Sequence, residues 1–177
     1  MIEKNKIDSS FLQVGGSCVL SSYAVAANYF TGLPGEVFFE DYCRHFGIVF
    51  LSAENAEELY VPHFVREYHT RGCEGYKVII DLHNQSETKS FKRCREVFAA
   101  KFIGDTCSQE KDILTNLREE ALLNVTFEVG SGFCHSVTVW CDGSVLYCRD
   151  TNFRGTRIIS GLKDLGKLRD SVLYQKK

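Results

Sequence analysis

The sequence predicts an α+β fold in which a helical N-terminal half packs on a C-terminal antiparallel β-sheet. Three observations carry this expectation. Residues Val19 to Phe30 are small and apolar all round, as a buried central helix requires. Helical periodicity recurs as far as Leu122, and from Val125 onward apolar and polar residues alternate as in half-buried strands. Asp142-Gly143 stands between two alternating runs, which marks a two-residue hairpin turn.

Taken in order, Gly15-Gly16 breaks an irregular polar N-terminus and Ser17 occupies an N-cap position ahead of the central helix. That helix stops at Thr31-Gly32, with Pro34 just beyond. A second helix is expected over Glu36 to Phe46, and a third within Ala53 to Thr70, interrupted near Pro62 and closed by Gly72. Tyr76 to His83 reads as a strand, and Ser90 to Phe102 and Ser108 to Leu122 as helices. Strands follow at Val125 to Val129, Cys134 to Cys141, Ser144 to Asp150 and Arg157 to Ser160. A short helix around Leu162 to Leu168 precedes a last strand near Ser171 to Tyr174.

With 44% hydrophobic and 25% charged residues, the 177-residue chain has material for one packed core, so residues 1–177 are expected to form a single domain. A net charge of -2 and scattered lysines and arginines leave no footprint for phosphate backbones, so nucleic acid is not an expected partner. No stretch is long enough to span a bilayer, and no apolar run behind the first residues resembles a secretory signal. Eight cysteines lack the spacing of zinc knuckles or redox pairs and read mostly as buried thiols. The expected location is cytoplasmic, or outside the cell by a route without a cleaved signal. No cofactor or metal is expected: Cys134, His135, Cys141 and Cys148 are close in sequence, but alternation turns Cys134 to the face opposite the others.

The chemistry gathers at two places. A thiol attacks as its thiolate, which the positive end of a helix favours, and Cys18 opens the most apolar helix of the chain. The amides of that helix end can also hold an oxyanion, with the side chain of Gln13 as a second donor. His135 begins the strand Cys134 to Cys141. If Asp142 and Gly143 form the turn, Cys141 pairs with Ser144 and His135 lies directly opposite Asp150, close enough for the carboxylate to orient the imidazole. A three-residue loop with a bulge brings Thr151 opposite instead, and Asn152 is a second candidate orienting group. His45, His63, His69 and His83 read as solvated or core histidines.

The order Gln13, Gly15-Gly16, Cys18 at a helix start, then His135 and Asp150 or Asn152 on adjacent strands resembles the papain-like cysteine peptidase superfamily. The compact bacterial branches, staphopain-like, bacteriocin-processing and effector peptidases, are nearest in size. The resemblance implies a papain-like fold with Cys18 as nucleophile, His135 as general base and then acid, Asp150 as orienting group and Gln13 as oxyanion donor. Gln13 precedes Cys18 by five residues where the family usually has six, and Val19 stands where an aromatic residue is common. The expected activity is hydrolysis of a peptide or amide bond in a peptide, protein or small amide, through an acyl-enzyme. The same triad serves an acyltransferase or transglutaminase-like, amide-forming enzyme, and a non-catalytic binding module of the same fold is the third reading.

Overall fold

The computed structural model describes residues 2, 6–13, 17–45, 73–104, 108–118, 120–130 and 132–177. The helix expected within Ala53 to Thr70, with Pro62 and Gly72, lies outside the described residues, as do Gly15-Gly16, His63 and His69. The fold is α+β. Its described helices are α1 (Cys18–Thr31), α2 (Glu36–His45), α3 (Cys73–Gln85), α4 (Lys89–Val97) and α5 (Glu110–Leu117). Its strands are β1 (Phe98–Ile103), β2 (Ala121–Glu128), β3 (Cys134–Asp142), β4 (Val145–Arg149), β5 (Arg157–Ile159) and β6 (Lys167–Lys176). They form one antiparallel sheet in the order β1-β6-β2-β3-β4-β5.

Each face of the sheet carries its own apolar layer. On one side Leu122, Trp140, Val172 and Tyr174 pack under α1 to α4. On the other, Leu123, Val125, Val137, Val139 and Leu173 pack under α5 and the 3₁₀ turn Leu162–Leu165. The serines and alanines of α1 let its backbone approach β3 closely. Thr138 Oγ1 there lies 3.1 Å from the carbonyl of Ser22 and 2.9 Å from Oδ1 of Asn124, so its proton is shared between two buried acceptors. Asn124 is fully buried in β2, which removes the glycosylation role its Asn-Val-Thr context formally allows.

Four elements differ from expectation. Tyr76 to His83 is helical, within α3. Its β-branched Val78-Ile79-Ile80 run suggests a strand, yet Tyr76, Ile79 and His83 are buried at the spacing of one helix face, and that burial overrides propensity. The helix expected over Ser90 to Phe102 ends at Val97, and β1 begins at Phe98. Phe91, Cys94 and Phe98 keep helical spacing across the junction and conceal it. The helix expected over Ser108 to Leu122 likewise ends at Leu117, because Glu120 adopts a left-handed φ of 68° and Ala121 enters β2. Ile113, Leu117 and Ala121 carry an i, i+4 pattern through the break. At the C-terminal end the expected helix is only the 3₁₀ turn, and β6 begins at Lys167.

The N-terminal segment is held by its own short-range bonds. Asp8 Oδ1 accepts from the backbone and hydroxyl of Ser10, at 2.8 and 2.7 Å, which turns the chain toward Phe11. Phe11 lies against Gly35 ahead of α2, where a Cβ would meet its ring at 2.6 Å, so this close approach requires glycine.

Candidate active site

Cys18 is the first residue of α1 and is almost wholly buried. Ser17 occupies the N-cap position without a side-chain capping bond; its hydroxyl is instead 3.2 Å from that of Ser21. The amide of Cys18 belongs to the helix turn that has no carbonyl partner within the helix, and the partial positive charge of that end favours a thiolate.

His135 is the second residue of β3, paired across β2 with Phe127, whose ring meets the imidazole edge-to-face at 5.7 Å. The hairpin register differs from expectation. Asp142 pairs with Val145 and Thr138 with Arg149, so the turn is Gly143-Ser144 and the strands slide by two residues. Gly143 takes φ 63° at the first turn position, which spares Asp142 a left-handed conformation. A slide of two preserves which face each side chain occupies. Asp150 therefore stays on the His135 side but lies just beyond the end of β4, and its Oδ1 reaches His135 Nε2 at 2.8 Å. Asn152 is close too: its side-chain amide is 3.3 Å from the same Nε2, and its backbone N–H donates to Asp150 Oδ1 at 2.9 Å.

The His135 ring is also hydrogen-bonded with the side chain of Cys18. With Nε2 directed at Asp150, Nδ1 is the ring nitrogen left for the sulfur. Burial works against a charged ring here, yet the bond to Asp150 and the bond and charge of Cys18 outweigh it and push His135 up to about 9. Burial alone would raise the Asp150 carboxyl, but the bonds from His135 and the Asn152 N–H, with the charges of His135 and Arg157, hold it below its ordinary value. The pair is thus an imidazolium and a carboxylate at neutral pH.

Gln13 joins the same corner. Its backbone N–H donates to the carbonyl of Thr151 at 2.9 Å, and Thr151 Oγ1 donates to Gln13 Oε1 at 3.1 Å. That bond assigns oxygen to one end of the amide and donors to the other.

The brace behind this corner is Arg149, which the sequence reading did not single out. Its fully buried guanidinium donates to the carbonyls of Asp8, Phe11, Asp150 and Phe153. One cation thereby ties the segment leading to Gln13 to the loop carrying Asp150. A lone arginine closing the otherwise apolar strand Val145–Arg149, next to an aspartate, was the available signal.

Of the remaining candidates, Cys141 and Cys148 lie in the apolar layer on the His135 face of the sheet, and no group of three or more potential ligands among the described residues could hold a metal. His83 is a core histidine: its Nε2 donates to the carbonyl of Phe98 at 3.2 Å and its Nδ1 accepts from Tyr23 at 2.9 Å. Burial drives it down to about 4, which keeps it neutral. A groove of about 590 Å³ between α2 and α4 contains none of the candidate residues. Among the described residues no helix is long and apolar enough to cross a membrane.

No protein-family model matches the chain, and no curated protein matches it.

Proposed function

We propose that the chain is a papain-like thiol hydrolase that cleaves a peptide or amide bond. The observation that carries this reading is the position of His135, bonded at once to Asp150 and to a cysteine that heads a helix. The Cys18 thiolate attacks the carbonyl carbon, and the oxyanion that forms meets the Cys18 amide and the side-chain amide of Gln13. His135, already protonated, gives its proton to the leaving amine. It then takes a proton from the water that releases the acyl group from sulfur. Asp150 keeps the ring oriented and offsets its charge throughout. Asp150 is preferred to Asn152 as the orienting group because a carboxylate supports the imidazolium electrostatically and an amide does not.

The test is turnover of a mixed peptide and fluorogenic amide set by the wild-type chain, Cys18→Ser and His135→Ala. Loss of turnover in both variants, with an acyl-enzyme mass adduct on Cys18 alone, is the expected result. Turnover that survives Cys18→Ser contradicts the reading.

A further inference from the structure

Beside the hydrolytic corner, β4, β5 and the turn that joins them enclose a pocket of about 210 Å³ whose walls include Cys148, Asp150, Phe153, Arg154 and Arg157. Asp150 belongs to both places, since its Oδ1 is the atom 2.8 Å from His135 Nε2. Arg157 pairs directly with Cys148, so the two side chains leave the sheet on one face, and Asp150, two residues beyond Cys148, keeps to that face. The turn carrying Phe153 and Arg154 is fixed through its main chain. Phe153 N–H donates to the Asp150 carbonyl at 3.1 Å, Gly155 N–H donates to the Ser9 carbonyl at 2.9 Å, and the buried Arg149 guanidinium donates to the Phe153 carbonyl.

The pocket has a surplus of positive charge. Among the described residues Arg154 makes no ion pair or hydrogen bond, and Arg157 bonds the Cys148 side chain and reaches Asp150 only through its charge. The Asp150 carboxylate is already matched by the His135 imidazolium. Burial pushes the Cys148 thiol up to about 11, which keeps it neutral. Two exposed guanidinium groups on the wall of a concave space are left without a counter-charge. A guanidinium is a planar fork of donors that fits a carboxylate with two parallel bonds. The exposed ring of Phe153 supplies apolar surface for the carbon stem behind such a group.

We propose that this pocket is a subsite in which Arg154 and Arg157 hold a carboxylate carried by the part of the substrate that departs as the amine. This rests on the hydrolase reading for the identity of the substrate. The departing amine takes its proton from His135, so the chain leading away from the cleaved bond passes that ring, and the ring is one hydrogen bond from a wall of the pocket. An extended chain advances about 3.3 Å per residue, which puts the carboxylate within about two residues of the cleaved bond. Two sources present the same anion there: the side chain of a glutamate or aspartate, or the free C-terminus of a peptide trimmed from its end. A lysine or arginine at that place meets like charge and is selected against.

The experiment titrates the full chain with two pairs of product-like dipeptides and follows binding by NMR: glycyl-glutamate amide against glycyl-glutamine amide, and glycylglycine against glycylglycine amide. The expected result is that the wild type binds the charged member of at least one pair about tenfold or more tightly than its neutral partner, as a charge-assisted bond implies. A preference in the first pair assigns the carboxylate to a side chain, and one in the second assigns it to a free C-terminus. Arg154→Gln should remove most of that preference, and Arg154→Gln with Arg157→Gln all of it. Arg154 has no bonded partner within the fold, so its replacement alone keeps the test decisive if the double variant does not fold. Equal or undetectable binding within both pairs in the wild type overturns the proposal, as does a preference that Arg154→Gln leaves unchanged. Titration needs no turnover, so the two readings fail separately: a carboxylate preference in a chain without hydrolysis removes only the hydrolase, and hydrolysis without the preference removes only the subsite.

Discussion

His135 Nε2 stands 2.8 Å from Asp150 Oδ1 although the two residues are not opposed in the hairpin. The bond depends on Asp150 leaving β4 and turning inward, in a turn closed by the Phe153 N–H on the Asp150 carbonyl at 3.1 Å and braced by Arg149. The Asp150 carboxylate therefore sits on a loop whose position is set by buried chain behind it.

Removing that carboxylate should be far more damaging than removing its neighbour. Asp150→Asn is expected to lower kcat by about 10²- to 10⁴-fold, as loss of an orienting aspartate does in other triads. Asn152→Ala is expected to lower it less than about tenfold. Steady-state kinetics on both variants checks the ranking, and the reverse order would make Asn152 the orienting group.

The alkaline limb of kcat/KM should have its midpoint near 9, because hydrolysis needs the His135 proton for the leaving amine. Stability follows the same group. Its folded value lies above its unfolded one, so its contribution is complete below about 6.5 and is lost as pH rises through about 9. Chemical denaturation from pH 6 to 9.5 should show the wild type losing on the order of 2 kcal/mol more than His135→Ala across that window.

Arg149→Met leaves four carbonyls without their shared donor inside the protein. The expected cost is about 3 to 5 kcal/mol, read from urea unfolding. In the fraction that folds, hydrolysis should fall as well, since the Gln13 and Asp150 segments are no longer tied together.

Gln13→Ala should lower kcat by about 10²-fold with little change in KM, the signature of a donor used in the transition state. A change confined to KM would make Gln13 a substrate contact only.

Gly35→Ala places a Cβ 2.6 Å from the Phe11 ring. The expected destabilisation is about 1 to 3 kcal/mol by thermal or urea unfolding. Phe11→Leu in the same background should recover part of it, because the smaller side chain makes room.

Much of the candidate site was legible because its parts have local causes. Cys18 at a helix start follows from the small-residue run behind it, and His135 with Asp150 on one face follows from two-residue alternation, which survives the register slide. The turn itself was read one residue early, because Asp-Gly and Gly-Ser share the same glycine and only backbone conformation separates them. Strand boundaries at Phe98 and Ala121 were concealed by apolar residues that satisfy both periods. Tyr76 to His83 was misread because β-branched content is a weak guide beside the burial of one helix face. Arg149 was not singled out because its partners are backbone carbonyls from two segments, at Asp8 and Phe11 and at Asp150 and Phe153, which no side-chain pattern records.

The central claim is that His135 activates Cys18, and the pH dependence of iodoacetamide alkylation at Cys18, followed by peptide mass, tests it most directly. The prediction is rapid modification already at pH 6, where an ordinary thiol of value near 8.5 is almost wholly protonated, together with a second change in rate near 9 that disappears in His135→Ala. A single rise near 8.5, the same in both proteins and shared by the other cysteines, would contradict the account.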